Sequence, residues 1–223
     1  MATASGSRGS ASTAKKPSGA DLTSPLVIIV EDDAGMRDGL QDLLRSVDIA
    51  TVAFDSTAAL LAEPFPDRPG CLVLDVRLPG VSGLDLQDTL LANGIKMPVI
   101  FMTGHGDVPM SVRAMKAGAR DFLTKPFRDQ DMLDAVAAAI ERDIKRRSEA
   151  AGANELVALA ATLTPRESEV MAAVVKGLMN KQIAFDMGIS EITVKIHRGQ
   201  VMRKMQASSI ADLVRKAELI RAS

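Results

Sequence analysis

A carboxylate in the first half of this chain has the neighbours that phosphoryl transfer requires. Asp75 can attack a phosphoryl donor and become an acyl phosphate. Glu31 and Asp32 supply hard oxygen ligands of the kind that Mg²⁺ prefers. Asp75 and the backbone carbonyl of Arg77 would complete the protein ligands, with waters in the remaining positions. The ion would neutralise charge that three carboxylates and a phosphoryl group could not otherwise share.

Two further side chains fit the same chemistry. The hydroxyl of Thr103 could bond a phosphoryl oxygen, and the ammonium of Lys125 could stabilise the acyl phosphate as a point charge. Each residue alone also has an ordinary explanation, because an aspartate after a strand is usually a loop or cap residue and a lysine is usually on the surface. Only the combination of these residues therefore predicts a phosphorylation site. Pro126 would fix the backbone after Lys125, with either a trans or a cis bond.

The elements that position these side chains follow from short apolar runs separated by helical patterns, which are typical of buried parallel strands in βα units. Functional groups collect at the carboxyl ends of such strands, where the chain leaves the core. We predict strands near residues 26–30, 50–54, 71–75, 98–102 and 120–123. We predict helices near residues 34–46, 56–62, 83–92, 108–117 and 129–140, with Asp33 capping the first. This alternation implies an α/β fold with a parallel sheet covered by helices on both faces.

The composition bounds the class of protein. A chain of 223 residues with 47% hydrophobic residues can form one large or two modest domains. Its apolar stretches are too short for a membrane span and its N-terminus lacks the hydrophobic centre of a signal peptide, so we expect a cytoplasmic protein with no membrane partner. The single cysteine, Cys71, excludes an intrachain disulfide and is expected to be a core residue and not a reactive thiol.

Charge divides the chain into two parts that suit different partners. Residues 25–140 carry 10 basic and 17 acidic groups, whereas residues 161–223 carry 10 basic and 6 acidic groups. The acidic part suits a metal ion and the basic part suits a polyanion. The chain contains no Trp and no Tyr, which argues against base stacking and hence against single-stranded nucleic acid as that polyanion.

The pattern along the chain predicts four segments. They are a disordered tail over 1–24, a first domain over 25–140, a linker that extends its last helix over 141–160, and a second domain over 161–223. The tail contains Arg8, Lys15 and Lys16, which could touch DNA but are more simply explained as solvated charges.

The second domain has the pattern of a four-helix, all-α fold with a helix-turn-helix. Thr164 and Glu167 can form a capping box, with Pro165 at the first helical position. Gly177 ends this helix, and Gly188 makes the turn between the second helix and the third. A tight helix-turn-helix with a basic third helix is a DNA-binding arrangement.

The phosphorylation motifs resemble the receiver domain of bacterial two-component response regulators over residues 26–140. The motifs are Val30-Glu31-Asp32, Asp75 followed by Arg77-Leu78-Pro79-Gly80, Thr103, and Lys125-Pro126. A narrower similarity to FixJ-type regulators rests on Thr103-Gly104-His105-Gly106-Asp107-Val108-Pro109-Met110, Met115-Lys116-Ala117-Gly118-Ala119 and Asp121-Phe122. The resemblance implies a five-stranded doubly wound sheet of order 2-1-3-4-5 and phosphorylation of Asp75 by a sensor histidine kinase.

The same resemblance assigns Phe122 to the position of a rotameric aromatic switch. Phosphorylation would draw Thr103 inward, Phe122 would enter the vacated space, and the surface of helix 108–117 and the fifth strand would change. We expect homodimerisation on phosphorylation through that surface, with Val112 and Met115 in contact. The simpler alternative is that Phe122 is only a core residue.

Residues 162–220 resemble the LuxR-type helix-turn-helix. The motifs are Leu163-Thr164-Pro165-Arg166-Glu167, Asn180-Lys181-Gln182-Ile183-Ala184, Ile189-Ser190 and Thr193-Val194-Lys195-Ile196-His197. At about 100° per residue, one side of the third helix should face the core and carries Val194, Val201 and Met205. The opposite side carries Ile192, Lys195, Ile196, Gly199 and Arg203.

That opposite side can enter the major groove of double-stranded promoter DNA. Lys195 and Arg203 can reach guanine edges, and Ile196 can meet thymine methyl groups. Phosphate contacts suit the residues Thr193, His197, Gln200, Lys204 and, on the preceding helix, Lys181. The two lysines of that set could equally be solvated, and a metal role for the histidine is remote. Gly199 departs from related proteins, which often carry a polar or basic base-reading residue there, so either the backbone approaches DNA closely or one base contact is missing.

Three functions remain to be weighed. The first is a phosphorylation-controlled transcription factor whose dimer reads half-sites about one helical turn apart, with RNA polymerase as a possible further partner. The second is a Mg²⁺-dependent phosphatase with Asp75 as nucleophile. Enzymes resembling the haloacid dehalogenase family need an aspartate where this chain has Arg77, so we expect no enzyme beyond slow self-dephosphorylation, modulated by Arg77 and His105. The third is a signalling adaptor whose helical domain binds protein instead of DNA.

Overall fold

The structure is a computed structural model, and it describes residues 24–79, 83–104 and 121–222. The chain divides into two compact units, the first ending at Asp143 and the second beginning at Ile144. Each unit is described by itself.

The first unit contains a five-stranded parallel sheet. Its strands are β1 (Leu26–Val30), β2 (Ala50–Phe54), β3 (Gly70–Asp75), β4 (Val99–Thr103) and β5 (Asp121–Thr124). Every neighbouring pair is parallel and the spatial order is β2-β1-β3-β4-β5, as the resemblance implied. The strand bounds depart from the predicted ones by at most one residue, because continuous apolar runs mark buried parallel strands clearly.

Alternate residues of each strand fill two separate cores, one on each face of the sheet. Ile28 and Leu74 belong to the core on one face, and Ile29 and Val73 belong to the core on the other. Cys71 lies in the second core and is fully buried, and this burial raises the pKa of its thiol to about 12. Cys71 is therefore a core residue, as predicted, and a thiolate does not form there near neutral pH.

Helices connect the strands over the described parts of the chain. They are α1 (Ala34–Arg45), α2 (Thr57–Leu61) and α3 (Gly83–Ala92). Asp33 caps α1 as predicted, since its Oδ1 accepts a 2.7 Å bond from the amide of Met36. The helix predicted over 108–117 lies outside the described residues.

A single long helix, α4 (Asp129–Ala161), follows β5 and includes residues 141–160, the stretch predicted to extend this helix as a linker. The stretch predicted as a linker is rich in Ala, Glu, Arg and Leu and contains no proline, so it favours a helix. Gly152 lowers that preference by only about 1 kcal/mol. Asp143 on this helix is fully buried, and its Oδ2 accepts a 3.1 Å bond from the amide of Gly70 at the start of β3.

The second unit adds four short helices, as the sequence predicts. They are α5 (Pro165–Val175), α6 (Asn180–Met187), α7 (Glu191–Lys204) and α8 (Ile210–Ala222). Thr164 and Glu167 form the predicted capping box, and Gly188 takes the left-handed conformation with φ of 64° that the tight turn needs. The core of this unit is built from Val170, Val174, Ile183, Val194, Val201, Met205 and Leu213.

No helix in the described part of the chain is both long enough and apolar enough to cross a membrane.

Candidate phosphorylation site and nucleic-acid interface

The carboxyl ends of the strands bring the predicted site residues to one edge of the sheet. Glu31 directly follows β1, Asp75 ends β3, Thr103 ends β4 and Lys125 directly follows β5. All four strands run in the same direction, so these positions share an edge although they are up to 94 residues apart in sequence.

Three carboxylates form a cluster at this edge. One oxygen from each of Glu31, Asp32 and Asp75 lies within 4.8 Å of the others. Glu31 and Asp75 are buried, whereas Asp32 is exposed. Three hard oxygen donors of this spacing fit a small divalent cation, and the exposed carboxylate leaves room for water ligands. The donor set therefore fits the Mg²⁺ that the sequence predicts.

The ammonium of Lys125 lies between two of these carboxylates. Its Nζ donates 2.6 Å bonds to Oε2 of Glu31 and to Oδ2 of Asp75. Burial raises the pKa of Glu31 above its ordinary value, and the Lys125 ammonium acts against that rise. Burial also lowers the pKa of Lys125, but the bonds to Asp75 and Glu31 outweigh it, so the pKa lies above the ordinary value and the side chain is charged.

The acidic loop after β1 is held by a residue that sequence reasoning missed. Arg37 on α1 donates from Nη1 to the backbone carbonyls of Glu31 (2.8 Å) and Asp32 (3.3 Å). These bonds fix the loop while its carboxylates stay directed at the cluster. An arginine one turn into the helix that follows an acidic loop was the available signal.

The backbone around Asp75 and Thr103 is also fixed by bonds. The amide of Arg77 donates a 2.9 Å bond to Oδ1 of Asp75, and the amide of Lys125 donates a 2.6 Å bond to the carbonyl of Thr103. The peptide bond between Lys125 and Pro126 is cis, one of the two forms left open by the sequence. Thr103 is 1% exposed, so its side chain lies inside the edge of the sheet.

Phe122 is half-buried on β5 and packs against the core that contains Phe101. The two rings have centroids 6.5 Å apart and planes tilted by 42°. This position fits a core residue and an aromatic switch equally well. The predicted dimer contacts Val112 and Met115, and also His105, lie outside the described residues.

The third helix of the second unit, α7, has the two predicted sides. Val194, Val201 and Met205 are buried. On the opposite side Ile192 is 71% and Ile196 is 58% exposed, and Lys195, Gly199 and Arg203 are exposed as well. Exposed isoleucines beside cations are unusual on a solvated helix, and they fit a surface that contacts base edges and thymine methyl groups.

The other predicted DNA contacts have different surroundings. His197 and Thr193 are half-buried, and the Thr193 hydroxyl bonds the hydroxyl of Ser190, the cap of α7, at 2.8 Å. The amide oxygen of Gln200 accepts a bond from Nη2 of Arg203. Lys181 is exposed on α6.

Lys204 has a structural partner within its own unit, and its predicted phosphate contact stays a prediction. Its Nζ donates a 2.6 Å bond to Oε2 of Glu167 and a 3.0 Å bond to the carbonyl of Thr162. The helical wheel alone could not show this, because Glu167 precedes Lys204 by 37 residues. The Lys204 ammonium is the main cause that holds the pKa of Glu167 below its ordinary value.

Sequence reasoning also missed Arg198. This half-buried arginine donates a 2.6 Å bond from Nη1 to Oδ1 of Asn180 and so joins α7 to the first residue of α6. Arg198 lies between the core-facing side and the DNA-facing side predicted for α7, so the helical periodicity assigned it neither to the core nor to DNA.

Comparisons with known proteins identify the family of each domain. Residues 27–137 match the response regulator receiver domain, and residues 161–217 match the bacterial regulatory proteins of the luxR family. Nodulation protein W of Bradyrhizobium diazoefficiens is 57% identical over 198 residues, which are 89% of this chain and 87% of that protein. The chain belongs to the response regulators.

Other response regulators are similar over nearly the whole chain. The transcriptional regulatory protein FixJ of Azorhizobium caulinodans is 46% identical over 86% of this chain and 92% of that protein. The structure of the response regulator StyR superimposes with a TM-score of 0.79 at 45% identity, covering 88% of this chain and 99% of that one. This response regulator is a transcription regulator and not an enzyme, so the phosphatase interpretation falls away.

Proposed function

We propose that this response regulator accepts a phosphoryl group from a sensor histidine kinase on Asp75 and, once phosphorylated, dimerises and binds promoter DNA. The observation that carries the proposal is the pair of 2.6 Å bonds from Lys125 to Asp75 and Glu31. A half-buried lysine between two carboxylates, with a third carboxylate beside them, brings together a nucleophile, a counter-charge and a set of metal ligands.

In the proposed transfer, a carboxylate oxygen of Asp75 attacks the phosphorus of the kinase's phosphohistidine. The new bond joins that oxygen to phosphorus, the bond from phosphorus to the imidazole nitrogen breaks, and the imidazole leaves. The ligands of Mg²⁺ would be Glu31, Asp32, Asp75 and the carbonyl of Arg77, and the bound ion supplies positive charge to the phosphoryl oxygens. The amide of Arg77 holds the attacking carboxylate in a fixed orientation.

Lys125 has a second role after the transfer. The acyl phosphate no longer offers Lys125 a free carboxylate, so the ammonium keeps its bond to Glu31 and turns to a phosphoryl oxygen. The hydroxyl of Thr103 would donate a bond to another phosphoryl oxygen. Both bonds stabilise the phosphorylated form and pull Thr103 towards the site.

The proposed output is a change of surface. In the structure, Phe122 packs at the edge of its core cluster. Movement of Thr103 would open space that Phe122 could enter. The altered surface, with Val112 and Met115 as predicted contacts, would join two copies, and two α7 helices would then reach neighbouring half-sites. RNA polymerase would be recruited by the bound dimer. Because the proposed partner is promoter DNA, the proposed place of action is the cytoplasm.

One observation favours the adaptor interpretation as a second candidate. Phe185 on α6 is 87% exposed, and its ring offers apolar surface that a protein partner could cover. DNA affinity measured across a salt series separates the two functions. A steep fall with salt supports DNA binding, and the absence of such binding supports the adaptor.

Intact-mass spectrometry tests the phosphorylation step. The full chain is incubated with a small phosphoryl donor and Mg²⁺, and we expect the mass of one phosphoryl group to be added. Asp75→Asn should stay unmodified, and Asp33→Asn, whose carboxylate only caps α1, should behave as the wild type. Equal modification of the Asp75→Asn variant and the wild type would contradict the proposal.

A further inference from the structure

A shallow depression of about 550 Å³ lies between the starts of α6 and α7. Its lining residues are Met179, Asn180, Lys181, Glu191, Lys195 and Arg198. Three of these side chains are cations and one is an anion, so the depression carries excess positive charge. None of the lining residues is aromatic, so it offers no surface on which a base could stack.

Arg198 is the fixed cation of this depression. Its bond to Asn180 uses one of the five N–H donors of the guanidinium, and the half-buried side chain is held at the wall where the two helices meet. Glu191, Lys195 and Arg198 recur at intervals of four and three residues and therefore lie along one side of α7. This side adjoins the exposed side that carries Ile192 and Lys195, so Lys195 stands at the border of both.

We propose that this depression binds one phosphodiester of the DNA backbone. Arg198 and Lys181 would be its charged ligands, and Asn180 would position Arg198. A planar guanidinium matches the two free oxygens of a phosphodiester, and a monoanion suits the charge excess of the lining. The inference rests on the proposed DNA binding and deepens it by naming the phosphate site and its ligands.

A phosphate held at this place would fix the orientation of α7. Contacts to the backbone position a recognition helix, whereas contacts to base edges select the sequence. The Asn180–Arg198 bond connects the phosphate site to both helices of the helix-turn-helix, so Ile196 and Arg203 would enter the groove in one register.

Single methylphosphonate substitutions test the proposal, because each removes the charge of one phosphate. The full chain is assayed on a duplex selected by the wild type and on duplexes that carry one substitution each. We expect the wild type to lose about tenfold in affinity at one phosphate of each half-site. Arg198→Met should lose about tenfold on the unmodified duplex and nothing further at that phosphate. Arg203→Met, the matched control on the same helix, should lose affinity there as the wild type does.

A further variant keeps the test valid if Arg198→Met lowers the thermal midpoint. Asn180→Ala retains the guanidinium but removes its fixed position, and it should show part of the same non-additivity. If both variants lose affinity additively with every substitution while the wild type binds DNA, the phosphate site is wrong and DNA binding stands. If the wild type shows no salt-dependent DNA binding, the proposed function fails and this inference fails with it.

Discussion

The ammonium of Lys204 lies 2.6 Å from Oε2 of Glu167 and joins the end of α7 to the capping box that begins α5. The same nitrogen donates a bond to the carbonyl of Thr162, immediately beyond α4. One lysine thus connects the recognition helix with the chain that enters its domain. We infer that these bonds give Lys204 a structural role in place of the phosphate contact that its sequence position predicts.

Replacement of Lys204 separates these two roles. Lys204→Met should lower the thermal midpoint of the second unit, because it leaves the buried Glu167 carboxylate without its cation. The slope of log affinity against log salt should stay as in the wild type. Lys181→Met should lower that slope by about 1, as expected for the loss of one phosphate contact. A slope reduced equally by both variants would show that Lys204 contacts DNA.

The Glu167 carboxylate should make the stability of the second unit depend on pH. Lys204 holds the pKa of Glu167 below its ordinary value of 4.5, so the folded form binds fewer protons than the unfolded form there. The stabilisation is therefore present above pH 4.5 and is lost as pH falls through the lowered value. The difference in thermal midpoint between wild type and Glu167→Gln should shrink over that acidic range. A difference that is constant with pH would contradict the ion pair.

Lys125 should compete with Mg²⁺ for the same carboxylates. Lys125→Met leaves two buried carboxylates without a cation and should lower the free energy of unfolding of the first unit by on the order of 3 kcal/mol in the absence of Mg²⁺. Mg²⁺ should stabilise this variant more than the wild type, because the competing ammonium is gone. Urea unfolding with and without Mg²⁺ measures both effects. The control Lys96→Met, at an exposed position, should have the stability of the wild type. If Lys125→Met also has the stability of the wild type, the two bonds of Lys125 do not stabilise the first unit.

Arg37 should support metal binding without touching the ion. Arg37→Met releases the carbonyls of Glu31 and Asp32 and should weaken Mg²⁺ binding about tenfold. Arg45→Met removes an exposed arginine of the same helix, which pairs only with a neighbouring Asp42 in the described structure, and should leave Mg²⁺ affinity unchanged. Calorimetric titration of the full chain with Mg²⁺ gives both values. Equal affinities for the two variants would assign Arg37 no positioning role.

Substitution of Gly199 should show whether the glycine affects only the stability of the second unit or also its binding to DNA. A Cβ added at this position meets no described atom within 4 Å, so no contact with residues 24–79, 83–104 or 121–222 requires a glycine there. Gly199→Ala should therefore stabilise the second unit by up to about 1 kcal/mol. If the backbone approaches DNA closely, the added methyl group should also weaken binding to the selected duplex. Unchanged DNA affinity together with higher stability would exclude the close approach.

The sequence predicted those features that local chemistry determines. Apolar runs located the strands, and the polar residues after them located the edge where Glu31, Asp75 and Lys125 meet. The periodicity of α7 correctly predicted that Val194 is buried and Ile196 is exposed, because a helix on the surface of a domain buries only one of its sides.

Long-range pairs could not be predicted in this way. Packing of separate helices brings Lys204 to Glu167 and Arg198 to Asn180. The two residues of each pair are 37 and 18 positions apart, so no short sequence motif indicates the contact. The predicted linker over 141–160 does extend the last helix, and it stays helical to Ala161, because Ala and Glu favour a helix.

Fluorescence anisotropy on a labelled duplex measures whether the state of Asp75 controls DNA binding. Affinity is measured for wild type and Asp75→Asn, each with and without a phosphoryl donor and Mg²⁺. We predict that the donor raises the affinity of the wild type by about tenfold and leaves that of Asp75→Asn unchanged. An equal response of both proteins to the donor, or no response of the wild type once its phosphorylation is verified by mass, would show that Asp75 does not control DNA binding.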